Sequence, residues 1–319
     1  MEYGITIPRG GIADQPSPWQ YLTSFAREAE QMGCAYCVIG DRLESGGLDA
    51  LSVLTAIAEA SGRHMRLATS VLVLPPRGVL VAAKQYASLD VLTGGRVIAG
   101  VGTGSLFRDY EVVGMDHNDM WPRFEEGVRA MRAYLTPGAP PFRGRFYNTD
   151  GVNLEPLPVQ RPGLPIWIGS WGSNAGLRRV ARLADGWLSS AGPGHQSPEQ
   201  FAEDVKRLNA FLAQEGKDPA TFPNAVSTMA LFISEDKEEL ARIGGPGYVP
   251  RPAGLGVVQP ATRPFEDAHA HDMVGTRAAC IDKVQRWQAA GTNALFLVPR
   301  GADPLGQMRL FLDDVAGQA

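Results

Sequence analysis

The stretch from Arg66 to Gly104 constrains the fold of this chain more than any other part, because it predicts a strand, a helix and a second strand in succession. Thr69–Leu74 is rich in β-branched residues and leucine and lacks polar alternation, which is typical of a parallel strand buried on both faces. Residues 78–93 have helical length, and the glycines at 94 and 95 favour a helix end. Residues 96–101 are again strand-like. This order is typical of a parallel α/β protein.

The second of these strands ends in three alternate glycines, Gly100, Gly102 and Gly104. Bare backbone at a strand end allows a flat or phosphorylated ligand to approach closely, so the pattern indicates a cofactor site. A dinucleotide fingerprint needs a helix that begins at the glycines and an acidic residue about 20 positions further on. The next residues, SLFRDYEVVGMDHND, are loop-like, which argues against that alternative.

The composition excludes several classes of partner. The chain has 319 residues, of which 44% are hydrophobic and 20% charged, enough for a large core. Its net charge is −4 and it has no basic cluster, so nucleic acid and anionic membranes are not expected partners. The first residues, MEYGITIP, lack the features of a signal peptide, and no segment approaches a membrane-spanning length. These features predict a cytoplasmic protein.

Strand and helix patterns alternate along the chain, with no composition break or repeat. Eight strands, each followed by a helix, predict a (β/α)8 TIM barrel in which residues 1–319 form one domain; a doubly wound sheet is the alternative. Strand seven is predicted over Val226–Ile233. Insertions are expected after strands 4 and 7, at residues 138–162 and 234–275. The second is expected to cover the C-terminal mouth of the barrel, where barrel active sites form.

Several short motifs have a functional and an ordinary explanation. Cys34 and Cys37 form a C-x-x-C pair, but they lie on a predicted strand and point to opposite faces, which favours two buried small side chains over a redox or metal pair. His269 and His271 lack a third ligand at suitable spacing, so no metal site is predicted. Asp41 ends strand two at the predicted mouth, where it could serve chemistry, a helix cap or a salt bridge.

The segment Gly169-Ser170-Trp171-Gly172-Ser173 lies between strand five and the next helix. Backbone amides and a capping serine at a helix N-terminus favour a bound phosphate. An ordinary capped turn explains the same residues.

Together these pieces resemble the luciferase-like monooxygenase superfamily, the bacterial-luciferase-type barrels that use FMN or the deazaflavin coenzyme F420. The resemblance is carried by residues 68–104, 142–190 and 275–297, with a weaker match at 33–43, and its most specific blocks are LDVLTGGRV and ARLADGW. It implies an α/β TIM barrel and an oxidoreductase. The actinobacterial-type F420-dependent branch is the closest in pattern, so coenzyme F420 is favoured over FMN.

The resemblance also implies roles for individual residues. Ser70 and Val71 fall where the family places a bulge on strand three, often with a non-prolyl cis peptide bond that backs the flavin ring. Asp41 matches an aspartate near the ring in F420-dependent members, and it is the best candidate for a catalytic residue. The remaining candidates for cofactor binding are the residues near the edge of the ring and those at the phosphate or ribityl chain: Gly102, Gly104, Ser105, Gly169, Ser170, Trp171 and Ser173.

Two departures from the family pattern leave the proton donor unassigned. Many F420-dependent members have Asp-His where this chain has Asp41-Arg42, and some dehydrogenases have a glutamate where this chain has Ser105. The resemblance therefore predicts hydride transfer between F420 and a small organic substrate, with two alternatives: an FMN-dependent monooxygenase that uses oxygen, or a non-catalytic flavin-binding barrel. A barrel hydrolase is disfavoured because no nucleophile–base pair can be named.

The second and third helices are apolar around much of their circumference, although a barrel helix needs only one buried stripe. The surplus predicts a homodimer.

Overall fold

A closed barrel of parallel strands is the centre of the molecule, so the predicted fold is confirmed. The structure is a computed structural model that describes residues 1–8, 11–44, 47–62, 64–191, 197–244 and 269–319. Its strands in chain order are β1 Glu2–Thr6, β2 Tyr36–Ile39, β3 Arg66–Thr69, β4 Leu72–Val73, β5 Val97–Gly102, β6 Ile166–Gly169, β7 Gly186–Ser190, β8 Asn224–Ser227, β9 Leu231–Ile233, β10 Met273–Gly275 and β11 Ala294–Leu297.

Strand pairing closes the ring in the described part of the chain. The neighbours run β1, β2, β3, β5, β6, β7, β8 and β11, and β11 pairs with β1 again. The short β4 continues β3 after a break and also pairs with β5. Strands β9 and β10 form a separate two-stranded parallel sheet.

The helices surround this barrel. Their bounds are α1 Pro18–Gln31, α2 Ala50–Ala60, α3 Leu74–Arg77, α4 Val79–Thr93, α5 Arg108–Glu111, α6 Met120–Leu135, α7 Asn174–Leu183, α8 Pro198–Gln214, α9 Lys237–Gly244, α10 Arg277–Ala289 and α11 Pro304–Asp314. The predicted end of α4 is confirmed, because Gly94 adopts a left-handed conformation with φ of 67°. In the described residues, no helix is both long and apolar enough to cross a membrane.

The described residues form three hydrophobic clusters: a large one between the barrel and its helices, a smaller one inside the barrel, and a third that packs β9 and β10 against α9. Inside the barrel, the Tyr36 ring lies 5.1 Å from the Phe296 ring and 6.3 Å from the Trp167 ring. The partly buried Val71 packs against this interior cluster.

The strand predicted over Thr69–Leu74 is wrong in its continuity. Regular pairing stops after Thr69 and resumes at Leu72, and Leu74 already belongs to α3. The apolar run is real, because residues 72–75 are buried. Burial on both faces does not reveal whether the backbone stays extended, so the pattern could not locate the break.

The strand predicted over Val226–Ile233 is also interrupted. The barrel strand is Asn224–Ser227. Beyond it, Leu231 forms a single bridge to Pro299, just past β11, and Leu231–Ile233 pairs with Met273–Gly275. Insertions do follow the fourth and seventh barrel strands, which are β5 and β8. Of the predicted lid at residues 234–275, residues 245–268 lie outside the described part, while α9 and β10 give its two ends regular structure.

The cysteines behave as buried apolar side chains. Cys34 and Cys37 are both buried and carry free thiols. Burial raises the pKa of Cys34 to about 12, so this thiol stays protonated at neutral pH and is a poor nucleophile.

Candidate functional site

The break in strand three lies at the C-terminal mouth of the barrel. Its Ser70–Val71 peptide bond is cis, as the family resemblance implied. The Ser70 amide donates a hydrogen bond to the Ile39 carbonyl (2.8 Å), and the Asp41 amide donates to the Val71 carbonyl (3.2 Å). Strand two therefore holds both sides of the break, and Ser70 and Val71 stay half-buried at its surface.

Asp41 is held in place by contacts that use both of its carboxylate oxygens. Oδ2 accepts from the Val73 amide (3.1 Å) and from Nε of Arg77 (3.2 Å), and Oδ1 accepts from Nη2 of Arg77. The residue is 5% exposed. Through these contacts, Asp41 links the end of strand two to the backbone beyond the break.

Arg77 is a member of this site that the sequence did not single out. It bridges Asp41 and Asp49, the residue that caps α2 by accepting from the Ser52 amide (2.8 Å). Burial alone would lower the pKa of Arg77, but the hydrogen bonds and charges of the two aspartates raise it. The guanidinium therefore stays charged and links the break to α2.

The alternate glycines make room for strand three, which is a different reason from the one that the sequence suggested. A Cβ atom on Gly100 would lie 1.8 Å from the Thr69 carbonyl oxygen. On Gly102 it would lie 2.7 Å from Cγ2 of Val71, and on Gly169 it would lie 2.8 Å from Cγ1 of the same valine. Gly102 and Gly169 thus meet around Val71. Gly104 has φ of +71°, a conformation that favours glycine.

Thr69 and Tyr86 reinforce the backbone immediately before the break. Oγ1 of Thr69 donates to the Gly100 carbonyl (2.6 Å) and lies 2.6 Å from the Tyr86 hydroxyl. Both side chains are fully buried. A lone threonine and a helical tyrosine give no distinctive signal, so the sequence did not single them out.

The segment after β6, the fifth barrel strand, leads into α7, as predicted. Ser173 is the N-cap residue, and its hydroxyl accepts from the Gly176 amide (3.1 Å). A Cβ on Gly176 would lie 2.2 Å from the Ser170 hydroxyl oxygen, so both serine hydroxyls lie at this helix end. Trp171, between them in sequence, is 61% exposed. The geometry is compatible with an anion at the helix N-terminus and also with an ordinary capped turn.

Ser105 comes directly after the last of the alternate glycines and is half-buried. Its hydroxyl oxygen accepts a hydrogen bond from Nη2 of Arg42 (3.1 Å). Arg42 is the residue at which the chain departs from the Asp-His pattern. The two departures from the family pattern are therefore in direct contact.

The residues present fit a flat ring laid over the break. Val71 is half-buried there, and Gly102, Gly104 and Gly169 leave bare backbone beside Val71 and Val73. The α7 N-terminus with its two serines supplies donors for a phosphate or polyol chain. His269 and His271 contribute no metal set, since the described residues contain no group of three or more potential ligands.

Comparison with known proteins is consistent with this geometry. A family model described as luciferase-like monooxygenase matches residues 1–294. An FMNH(2)-dependent dimethylsulfone monooxygenase of Pseudomonas putida is 28% identical over 75% of this chain and 67% of its own length. An F420-dependent glucose-6-phosphate dehydrogenase of Mycolicibacterium gilvum is 28% identical over 65% of this chain and 63% of its own.

A stronger local match covers less sequence. An uncharacterised protein of Mycobacterium tuberculosis is 34% identical, and the match spans about half of either protein, 52% of this chain and 54% of the relative.

Solved structures share the whole fold. Monooxygenase RslO1 from Streptomyces bottropensis superimposes with a TM-score of 0.81 at 21% identity, covering 99% of each chain. An F420-dependent secondary alcohol dehydrogenase gives a TM-score of 0.80 at 17% identity, covering 100% of this chain and 99% of its own. At these identities the likeness concerns the fold alone.

Proposed function

The chain belongs to the luciferase-like monooxygenase family, and from that premise we propose that it transfers a hydride between coenzyme F420 and a small organic substrate at the mouth of the barrel. The observation that carries the proposal is the interrupted strand three, where Ser70 and Val71 are half-buried and Val71 lies against Gly102 and Gly169. A deazaflavin ring supplies hydride chemistry that no protein side chain has.

In this proposal the protein binds and orients the ring and excludes water. The break at Ser70 and Val71 would support one face of the ring. Gly102, Gly104 and Ser105 would border its edge, and Gly169, Ser170, Trp171 and Ser173 would hold the phosphate-bearing chain. Asp41 would act indirectly, by fixing the break through the Val73 amide.

The second candidate is an FMN-dependent monooxygenase, because the dimethylsulfone monooxygenase is as similar in identity as the F420-dependent dehydrogenase and covers more of the chain. A third is a barrel that binds a flavin without turnover, which the serine at position 105 supports because it offers no carboxyl acid.

Titration of the purified protein with F420 and with FMN, monitored by fluorescence quenching, tests these candidates. We expect saturable binding of F420 with a micromolar or tighter Kd, weakened by Ser170→Ala. Ser88→Ala is the matched control, since this serine on α4 donates to its own helix at the Lys84 carbonyl. Binding of FMN alone would contradict the F420 assignment, and binding of neither would contradict the function.

We also propose a homodimer that is formed through α4. This helix exposes Leu80 (43%), Val81 (58%), Val91 (41%) and Leu92 (69%), whereas the apolar residues of α2 pack inside the chain against α1 and α4. A second copy would cover this apolar face. Light scattering should give a dimer for the wild type and a monomer for Val81→Glu/Leu92→Glu, with Val112→Glu as an exposed control. A monomeric wild type would overturn the proposal.

A further inference from the structure

Three polar side chains near the mouth have no part in holding the break at Ser70 and Val71. Arg42 is next to Asp41 in sequence, Ser105 is next to Gly104, and Asp109 lies in the short α5. Nη2 of Arg42 donates to the Ser105 hydroxyl oxygen (3.1 Å), and Nη1 of Arg42 lies 3.7 Å from Oδ2 of Asp109. The three side chains are therefore linked in the order Asp109, Arg42, Ser105.

Asp109 is the buried member of these three linked side chains. It is 1% exposed, and within the described residues its Oδ2 atom has no hydrogen-bond partner. Burial raises the pKa of Asp109, while the Arg42 charge and the Leu43 amide act to lower it. The cation paired with this carboxylate is the Arg42 guanidinium, whose side chain is 21% exposed. The ion pair thus holds Nη1 of the guanidinium while the Arg42 side chain stays partly exposed.

The direction of the Arg42–Ser105 hydrogen bond determines what Ser105 can do next. A guanidinium has donors and no acceptor, so the serine oxygen must accept. The hydroxyl proton then remains available, and the described residues provide it with no acceptor. Ser105 is half-buried beside Gly104, at the place where the proposed function sets the edge of the ring.

We propose that Arg42 and Asp109 are positioning residues that hold the Ser105 hydroxyl as a hydrogen-bond donor to an acceptor atom of the bound ring. This inference rests on the proposed function. It assigns a joint role to the two positions at which the chain departs from the family pattern. At the end of strand two, Asp41 then fixes the backbone at the break, and Arg42 orients the Ser105 hydroxyl at the site.

The test compares the binding of F420 and of FMN to the wild type, Ser105→Ala, Arg42→Met and the double variant. Loss of one hydrogen bond should weaken binding about three- to tenfold. It should also shift the absorption maximum of the bound ring, which a merely structural role would not do. Because Arg42 acts only through the Ser105 hydroxyl in this proposal, the double variant should bind no more weakly than Ser105→Ala, and Ser105→Thr should restore affinity and spectrum.

Two controls separate this effect from damage to the fold. Arg108→Met removes a neighbouring exposed arginine that pairs with Glu44, and it should leave affinity and spectrum unchanged. Asp109→Asn should reproduce the spectrum of Arg42→Met, since it frees the guanidinium. Thermal unfolding identifies any variant that fails to fold.

The possible failures are distinguishable. If the wild type binds neither F420 nor FMN, the proposed function fails and this inference fails with it. If the wild type binds one of them and Ser105→Ala binds it equally well with an unchanged spectrum, the positioning role alone is overturned. Additive losses in the double variant would also overturn it, because they would mean that Arg42 acts independently of Ser105.

Discussion

Barrel strand three (β3 and β4) and barrel strand seven (β8 and β9) are both interrupted near the mouth. At each break, a buried aspartate accepts a hydrogen bond from a backbone amide. In strand three, Oδ2 of Asp41 accepts from the Val73 amide (3.1 Å). In strand seven, Oδ1 of Asp272 accepts from the Met229 amide (2.7 Å). The two aspartates are 5% and 2% exposed. A side chain from elsewhere in the sequence satisfies an amide that the broken ladder leaves without a strand partner.

The two breaks differ in the path that the chain takes beyond them. After strand three the chain returns to the barrel, and Val73 pairs with Gly102 of β5. After strand seven, Leu231 continues the barrel pairing only as a single bridge to Pro299, and β9 pairs along its length with β10 in a second sheet. The neighbour of β4 contains Gly100 and Gly102, whereas β11 and the paired part of β7 carry a side chain at every position. We infer that room in the neighbouring strand decides whether an interrupted strand resumes a regular ladder in the barrel sheet.

The largest effect should come from removing that room at Gly100. The Cβ of Gly100→Ala would lie 1.8 Å from the Thr69 carbonyl oxygen, which is backbone and cannot swing away. We expect a loss of at least about 3 kcal/mol in the free energy of unfolding, measured by urea denaturation. Gly317→Ala is the control, because nothing lies within 4 Å of its Cβ position. A Gly100→Ala variant as stable as this control would disprove the inference.

The second effect concerns the aspartate of strand three. Asp41→Asn should lower the free energy of unfolding by about 3 kcal/mol, since it breaks a buried ion pair with Arg77. The exposed pair Arg143–Asp150 provides the comparison, and Asp150→Asn should cost less than about 1 kcal/mol. Equal losses in the two variants would mean that burial of the Asp41 pair has no energetic consequence.

A smaller effect should come from Gly169, and it should depend on Val71. The Cβ of Gly169→Ala would lie 2.8 Å from Cγ1 of Val71, which predicts a loss of about 2 kcal/mol. Val71→Ala removes the clashing methyl group, so the glycine change should cost much less in that background. A double-mutant cycle of urea unfolding measures the coupling. Strictly additive losses would argue against contact between these residues.

The smallest effect should be that of Asp272→Asn in strand seven. The carboxamide oxygen can still accept from the Met229 amide, so we expect a loss of about 1 kcal/mol, mainly from the weaker hydrogen bond. A loss as large as that of Asp41→Asn, measured by the same urea denaturation, would mean that the two breaks depend equally on their aspartates and would remove the contrast between them.

The sequence by itself determined the barrel and the insertions, and it placed the candidate site residues at one end of the barrel. Alternating strand and helix patterns are local, and they place Gly102 and Gly169 at strand ends, Asp41 just after a strand and Ser173 at a helix start. Only the tertiary structure decided where strands three and seven break. A buried strand and a buried bend have the same apolar composition, so hydrophobic pattern cannot separate them.

Tertiary structure also decided which residues act together. Arg77 meets Asp41 from 36 positions away, and Arg42 meets Ser105 from 63 positions away. Such pairs form when the chain closes into a barrel and the ends of neighbouring strands converge. The alternate glycines were visible in the sequence, but the reason for them, the Thr69 carbonyl and the Val71 side chain lying against them, exists only once the strands are side by side.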